Sequence, residues 1–408
     1  MLARPFRAAL FCAVLVTVVG SRTAANAETL ALVGCRLYAA PEAAALDDAV
    51  VVATDGVITD IGRRGDVPVP SGARVIDCSG KTIVAGFWNS HVHFTEPVWR
   101  NADSAPAAPM ASHMQAMLTR WGFTSVWDLG SDGRDTLALR RRVNSGEIPG
   151  PDIHTAGSIF PKDGHPVYLP AEMKLPIASV PDEAAQWART FNGFGLDGLK
   201  LFTGSFMGTG KPVINMSPDI AKAAVEVAHA AGKPVFAHPQ NRAGVDAVIA
   251  AGVDIMAHTV AGEAAYSAEQ LARFKQQGIA LTPTLSLFAK LPVPAEIAAR
   301  IVDNIVSQLK GFSDNGNTVL FGTDVGYTQL YDTTLEYELM RRALSERQVL
   351  AALTTNPAAY FKSLKKGKLE KGFDADVVVL DGDPLVDVKN FAQVAWTIRA
   401  GKVIYQKP

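Results

Sequence analysis

Two histidines one residue apart, His91 and His93, close the segment KTIVAGFWNSHVH that runs from Lys81 to His93. Within it, Ile83 to Trp88 has the length and apolar texture of a buried strand. Strand side chains alternate, so both imidazoles fall on one face, and together they make half of a metal site. Taken alone, a His-x-His pair also occurs in ordinary strands and loops. Downstream, the run Asp197-Gly-Leu-Lys200-Leu-Phe carries a lysine among apolar residues. Lys233-Pro-Val-Phe-Ala-His238 and Asp254-Ile-Met-Ala-His258 each end in histidine, and Leu320-Phe-Gly-Thr-Asp324 ends in aspartate. Only 8 histidines occur in the chain, and four of them hold these positions. Singly, each reads as a packed core histidine, a solvated lysine or a turn. Five apolar runs ending this way in order read as a metal centre.

The elements that must carry these groups follow from the pattern between them. From Lys81 to about Tyr360, short apolar strands alternate with helical segments: Ile83–Trp88, Ser125–Leu129, Ile153–Ser158, Gly198–Phe202, Pro234–His238, Ile255–His258, Ile279–Thr284 and Val319–Asp324. Ser217-Pro218 is an N-cap followed by proline, and Ser267-Ala-Glu-Gln270 and Ser345-Glu-Arg-Gln348 fit capping boxes. Eight strands, each followed by a crossover, predict a (β/α)8 TIM-type barrel, whose chemistry sits at the C-terminal strand ends. The alternative, a doubly wound open sheet, lacks the Gly-x-Gly-x-x-Gly turn after its first strand. On either side the text is β-like. Thr29 to Leu37, Ala49 to Thr54, Val57 to Ile61 and Val75 to Cys78 precede the barrel, with Asp55-Gly56 as a hairpin turn. Asp376–Leu380, Val394–Arg399 and Val403–Tyr405 follow it. The fold class is therefore α/β: a barrel over 81–360 inserted in a small discontinuous β-sandwich made of 28–80 and 361–408.

Composition bounds the partners. The chain has 408 residues, is 48% hydrophobic and carries a formal net charge of -1, so it has no basic excess to neutralise nucleic acid or an anionic membrane. Arg4 and Arg7, the uncharged apolar run Ala8 to Gly20 and the small-x-small Ala25-Asn26-Ala27 read as a secretory signal peptide over 1–27. The expected product is periplasmic or secreted, with no membrane contact after cleavage. Cleavage leaves Cys35 and Cys78, which an oxidising compartment could join as a disulfide and which burial could equally keep as free thiols.

Several segments carry a family resemblance. The opening Gly80-to-His93 segment, the Asp197-to-Lys200 run, Thr355-Asn356-Pro357-Ala358 and GKLEKGFDADVVVLDGDPL from Gly367 to Leu385 together resemble the amidohydrolase superfamily. The likeness is to its carbamylated-lysine branch, imidazolonepropionase-like, which includes Xaa-Pro and Xaa-Arg dipeptidases, and it covers nearly the whole mature chain. It implies that His91, His93 and Asp324 bind one divalent metal and His238 and His258 a second. Lys200, carboxylated by CO2, would bridge them. Imidazole, carboxylate and carbamate together suit Zn²⁺ best. The resemblance also implies a hydroxide activated by both metals and Asp324 as the proton-transferring group.

The chain departs from its relatives' usual text at His238-Pro-Gln-Asn241 and at Thr259-Val-Ala-Gly262. After the third strand, Phe160-Pro-Lys-Asp-Gly-His165-Pro loosely resembles the family's Gly-Gly-His-Gly loop and places His165 in the His position. His165 is thus a second candidate catalytic residue, and Tyr168 and Lys211 are weaker candidates in the long loops. The expected activity is hydrolysis of a small-molecule amide, dipeptide or N-acyl amino acid, with a homo-oligomer left open. Two other readings remain at this point: a mononuclear cyclic-amide or amidine hydrolase or deaminase, and a lactone or organophosphate ester hydrolase on the same metal core.

Overall fold

The computed structural model describes residues 28–408. The predicted signal peptide lies outside the described residues. No helix among the described residues is long and apolar enough to cross a membrane.

The small domain is one hydrogen-bonded sheet of eight strands. Its order is Lys402–Gln406, Val394–Arg399, Val377–Leu380, Thr82–Ala85, Thr29–Leu37, Leu46–Thr54 and Val57–Arg63, with Arg74–Asp77 also paired to Thr29–Leu37. N-terminal and C-terminal strands meet where Thr82–Ala85 runs antiparallel to Val377–Leu380. Thr29–Leu37 pairs in parallel with Arg74–Asp77 through its first half and with Thr82–Ala85 through its second. The change of neighbour coincides with a register shift beside Gly34, whose φ of 80° is open to glycine at no steric cost. Asp55-Gly56 makes the expected hairpin turn between Leu46–Thr54 and Val57–Arg63.

The apolar run Ile83–Trp88, expected as one barrel strand, is two strands in two sheets. Thr82–Ala85 belongs to the small domain, and Phe87–Val92 is the first barrel strand. The partners change at Gly86: its N–H donates to the Asp376 carbonyl, and the next N–H, of Phe87, donates to Gly122. A Cβ on Gly86 would collide with Thr124 and Asp376, so glycine allows the two domains to approach here.

The barrel strands continue in parallel as Phe123–Asp128, Asp152–Pro161, Gly198–Leu201, Val235–Ala237, Ile255–Met256 and Ala280–Leu281. The eighth position is an extended segment joined by isolated bridges, Leu281 to Val319 and Val92 to Val325. It closes the ring through hydrogen bonds from Leu320 N–H to Leu281 O (2.8 Å), Ser90 N–H to Phe321 O (2.7 Å) and Asp324 N–H to His91 O (2.9 Å). The result is the expected TIM-type barrel, and its interior is packed, not hollow. Trp88, Trp127, Phe236, Ile255, Ala280 and Leu320 form one cluster there, with Phe361 against it. His154 stacks on Trp127 and Trp88 at centroid distances of 5.0 and 5.9 Å. The three helix starts read from sequence are present: Ser217 caps Pro218–Ala230, and both capping boxes form at Ser267/Gln270 and Ser345/Gln348.

Candidate metal centre

Phe87–Val92 is buried throughout, and its C-terminal end carries His91 and His93. One nitrogen of each ring and one oxygen of Asp324 lie within 4.8 Å of one another. His93 Nε2 is 2.9 Å and His91 Nε2 3.3 Å from Asp324 Oδ1. Asn89 holds the two strand ends together. Its Oδ1 accepts from His91 N–H (3.2 Å) and Thr323 N–H (3.3 Å), and its Nδ2 donates to Thr323 Oγ1 (2.8 Å). Asp324 itself has φ 61°, a left-handed conformation uncommon outside glycine, as is frequent at functional positions. Just beyond it, a Cβ on Gly326 (φ 95°) would collide with the His93 carbonyl.

The other two histidines complete a buried group. His258 lies with its ring centroid 4.6 Å from that of His91 and 4.7 Å from that of His238, and its Nε2 is 3.8 Å from Asp324 Oδ2. Each ring is oriented through its other nitrogen. His91 Nδ1 faces the Ala257 carbonyl at 2.9 Å and so carries the proton there, leaving a lone pair on Nε2. His258 Nδ1 meets Thr284 Oγ1 at 2.7 Å, which leaves Nε2 toward Asp324. His238 is reversed. Its Nε2 meets Gln240 Oε1 at 3.0 Å, so Nδ1 is the nitrogen free to bind a metal.

Burial lowers the titration of His91 and His258 well below the ordinary imidazole value and that of His238 to about 4, so all three are neutral and able to act as ligands. Burial works to raise the Asp324 carboxyl, but the His91, His93 and His258 rings around it more than offset that and hold it well below its usual range. Lys200, on Gly198–Leu201, is 1% exposed, and burial brings its amine down to about 7. Among the described residues no hydrogen bond or ion pair reaches it, and its Nζ lies 5.8 Å from the Phe202 ring centroid.

The donor set fits a divalent cation. His91 Nε2 and Asp324 Oδ1 are buried, have no hydrogen-bond partner and face each other. A buried polar atom left unpaired costs about 1–3 kcal/mol, and here two lone pairs also point at one another. A cation between them would relieve both penalties.

The loop candidates lie on the rim. His165 is half-buried and tied to its own loop, with Nδ1 3.2 Å from Pro166 O and Nε2 3.3 Å from Met173 O, and no hydrogen bond links it to the histidine group among the described residues. Tyr168 packs edge-on against Tyr327 of the eighth loop at 5.3 Å, while Val167 N–H bonds Phe206 O in the fourth. Lys211 is exposed at a turn closed by its own N–H to Gly208 O. Three residues that bear on the site were not singled out by sequence: Asn89, Thr284 and Glu336. Only Thr284 carried a signal, as the last residue of the predicted seventh strand.

A barrel with histidines and an aspartate converging at its C-terminal strand ends defines a metal-assisted hydrolase class, and the comparisons agree. The amidohydrolase family model matches residues 82–404, and the chain belongs to that family. It is similar to ochratoxinase from Aspergillus niger, 24% identical over 399 residues, covering 85% of this chain and 80% of that one. It is also 24% identical to imidazolonepropionase from Porphyromonas gingivalis, covering 88% and 89%. Among solved structures, a Xaa-Pro dipeptidase with bound methionine in the active site superposes with a TM-score of 0.79 at 21% identity, over 93% of this chain and 100% of that one. The A. niger ochratoxinase structure gives 0.75 at 22% identity, over 94% and 96%.

Proposed function

We propose that the mature chain is an exported, binuclear metal-dependent amidohydrolase that cleaves a C–N bond in a small amide, dipeptide or N-acyl amino acid. The observation that carries this reading is the pair of orphaned buried atoms, His91 Nε2 and Asp324 Oδ1, beside the neutral rings of His238 and His258. His91, His93 and Asp324 would hold one cation and His238 and His258 the other, and Lys200, as its carbamate, would supply the shared anionic ligand. Lys200 suits that role because it is buried and unpaired and about half of it is neutral near pH 7, which is the form that adds CO2. Bound Zn²⁺ or a similar ion acidifies water and polarises a carbonyl.

The chain's own groups supply the rest. Asp324, which the surrounding rings keep anionic, takes the proton from the attacking water and passes it to the leaving nitrogen, so that the amine departs neutral. His165, whose ring nitrogens face the Pro166 and Met173 carbonyls of the third loop, is the loop residue placed to contact substrate once it leaves those carbonyls. Wrapped by strand ends and loops, the site takes a small molecule. The relatives named Xaa-Pro dipeptidase and ochratoxinase support an amide or dipeptide. The leader over 1–27 directs export, with Glu28 as the first residue of the product.

The test is purification of the mature protein with divalent metal and bicarbonate, a metal count, and a screen of dipeptides, N-acyl amino acids and cyclic amides. Two metals per chain with amide hydrolysis is the expected result. One metal per chain, unchanged in Lys200→Met, would replace the binuclear reading by the mononuclear one. Full occupancy without amide turnover, with activity on lactones or phosphate esters, would overturn the C–N assignment.

A further inference from the structure

His258 is held by a loop that is itself held from another part of the barrel. Thr284, after the seventh strand, bonds His258 Nδ1 through its hydroxyl at 2.7 Å and is fully buried. Its backbone is in the left-handed region, φ 46° and ψ 50°, where a β-branched residue is a genuine outlier. Such a conformation costs of order 1–3 kcal/mol and persists only where the surroundings over-determine it. Before the turn, the Thr259 hydroxyl and N–H hold the Pro283 carbonyl at 3.2 and 3.4 Å; after it, one side chain does the holding. Glu336, on the helix Thr334–Arg341 after the eighth loop, is 0% exposed. It accepts the two N–H groups that immediately follow Thr284: Leu285 N–H to Oε1 at 2.9 Å and Ser286 N–H to Oε2 at 2.6 Å. The short helix Leu285–Ala289 that starts there also sets Phe288 edge-on against the His258 ring at 5.7 Å. No cation pairs with Glu336 among the described residues, so its buried carboxylate is committed to the Leu285 and Ser286 groups at the start of this turn.

We propose that Glu336 and Thr284 are positioning residues for His258: Glu336 pins the strained turn after the seventh strand, and the turn holds the Thr284 hydroxyl on Nδ1, keeping Nε2 directed at the metal centre. The proposal rests on the two-metal reading above. It implies that the eighth strand and the helix that follows its loop both act on the centre, one through Asp324 as a ligand and the other through Glu336 on the orientation of a different ligand. A glutamine at 336 cannot substitute. It offers one acceptor oxygen, and its amide N–H₂ would oppose the second backbone N–H.

The experiment uses the full mature chain loaded with Co²⁺, read by its visible d–d spectrum, by chelator competition for metal affinity and by thermal unfolding. Glu336→Gln and Thr284→Val are each expected to shift the spectrum and weaken the more loosely held metal about 10–100-fold. Thr284→Ser, which keeps the hydroxyl, restores both readouts. The double variant is no worse than the worse single one, because both act along one path. If Glu336→Gln does not fold, the Thr284→Val and Thr284→Ser pair decides. Wild-type spectrum and affinity in Thr284→Val, with the second metal lost in His258→Ala, overturns the positioning role and leaves the two-metal reading standing. Unchanged affinity in His258→Ala overturns both.

Discussion

Two aspartates end barrel strands in this molecule, and they have opposite surroundings. Asp128, at the end of Phe123–Asp128, is 0% exposed and has four donors: Ser131 Oγ (2.6 Å) and N–H (3.2 Å) on one oxygen, Thr136 Oγ1 (2.9 Å) and Thr155 Oγ1 (2.8 Å) on the other. Asp324, at the end of the eighth segment, is 4% exposed, and its Oδ1 has none. Burial and strand position are the same, so neither identifies a functional acid. What separates them is what the neighbours are: hydroxyl and amide donors around Asp128, and the ring nitrogens of His91 and His93 at Asp324 Oδ1. Asp128 closes a network that fixes the second and third strands, whereas Asp324 keeps an acceptor open among imidazoles.

The largest expected effect follows directly. Asp324→Asn should lower kcat by ~10²–10⁴-fold, the usual worth of a positioned general base, while retaining much of the bound metal. Asp128→Asn should change kcat far less and instead cost ~1–3 kcal/mol of stability, through loss of acceptors for buried donors. Steady-state kinetics and denaturant unfolding on both variants give the crossed pattern. If Asp324→Asn were near-normal in turnover, or Asp128→Asn the more damaging to catalysis, the contrast would fail.

A second contrast lies between buried Lys200 and half-buried Lys366. Lys366 has its charge matched by Asp376 at 2.6 Å, whereas Lys200 has no such partner. Lys200→Met should reduce the metal count from two per chain toward one and abolish any dependence of activity on bicarbonate. Lys366→Met should leave the metal count alone and lower the midpoint of unfolding, since breaking a largely buried pair strands its carboxylate. Elemental analysis and calorimetry separate the two.

These contrasts also show where the sequence was readable. His91, His93, His238, His258 and Asp324 were legible because each ends an apolar run, and an apolar run is a local property. The first strand was misjudged because Ile83–Trp88 contains no polar break. Only Gly86 marks the change of sheet, and its significance lies in contacts with Thr124 and Asp376 far along the chain. The eighth strand was read as regular, yet Asp324 turns left-handed, a constraint that residue type does not reveal. Asp128 and Glu336 stayed silent for the same reason. Glu336 meets Leu285 across 51 residues, so its function exists only after folding.

Glu336 is an intermediate case between the two aspartates, with two donors and complete burial. Burial raises its carboxyl to about 7, and the Ser286 N–H and side chain and the Leu285 N–H only partly oppose this. A folded value above the unfolded one means that this group's contribution is fully present below pH ~4.5 and is lost as pH rises through ~7. The stability difference between the wild type and Glu336→Gln should therefore shrink by ~3 kcal/mol across that window. Denaturant midpoints of both proteins from pH 4.5 to 8 measure it, and a difference that grew with pH would mean that the two N–H bonds outweigh burial.

The smallest effect belongs to the small domain, the region least like the metal centre. Cys35 and Cys78 are free, fully buried thiols, with Sγ donating to Ala49 O (3.4 Å) and Ile76 O (3.7 Å). Burial pushes both up to about 12, so at pH 8 only about one thiol in ten thousand is the reactive thiolate. The native mature protein should therefore resist a thiol reagent at pH 8 and expose two reactive thiols per chain once unfolded without reductant. Finding none after unfolding would mean that an exported chain oxidises the pair. Alanine at both positions should leave turnover unchanged, because the sheet carrying these sulfurs meets the barrel at Gly86, at the end of the first strand opposite His91 and His93. A measurable loss of activity would show that the small domain's packing reaches through the first strand to the metal ligands, and the contrast between a satisfied region and an open one would then have to be drawn within the strand itself.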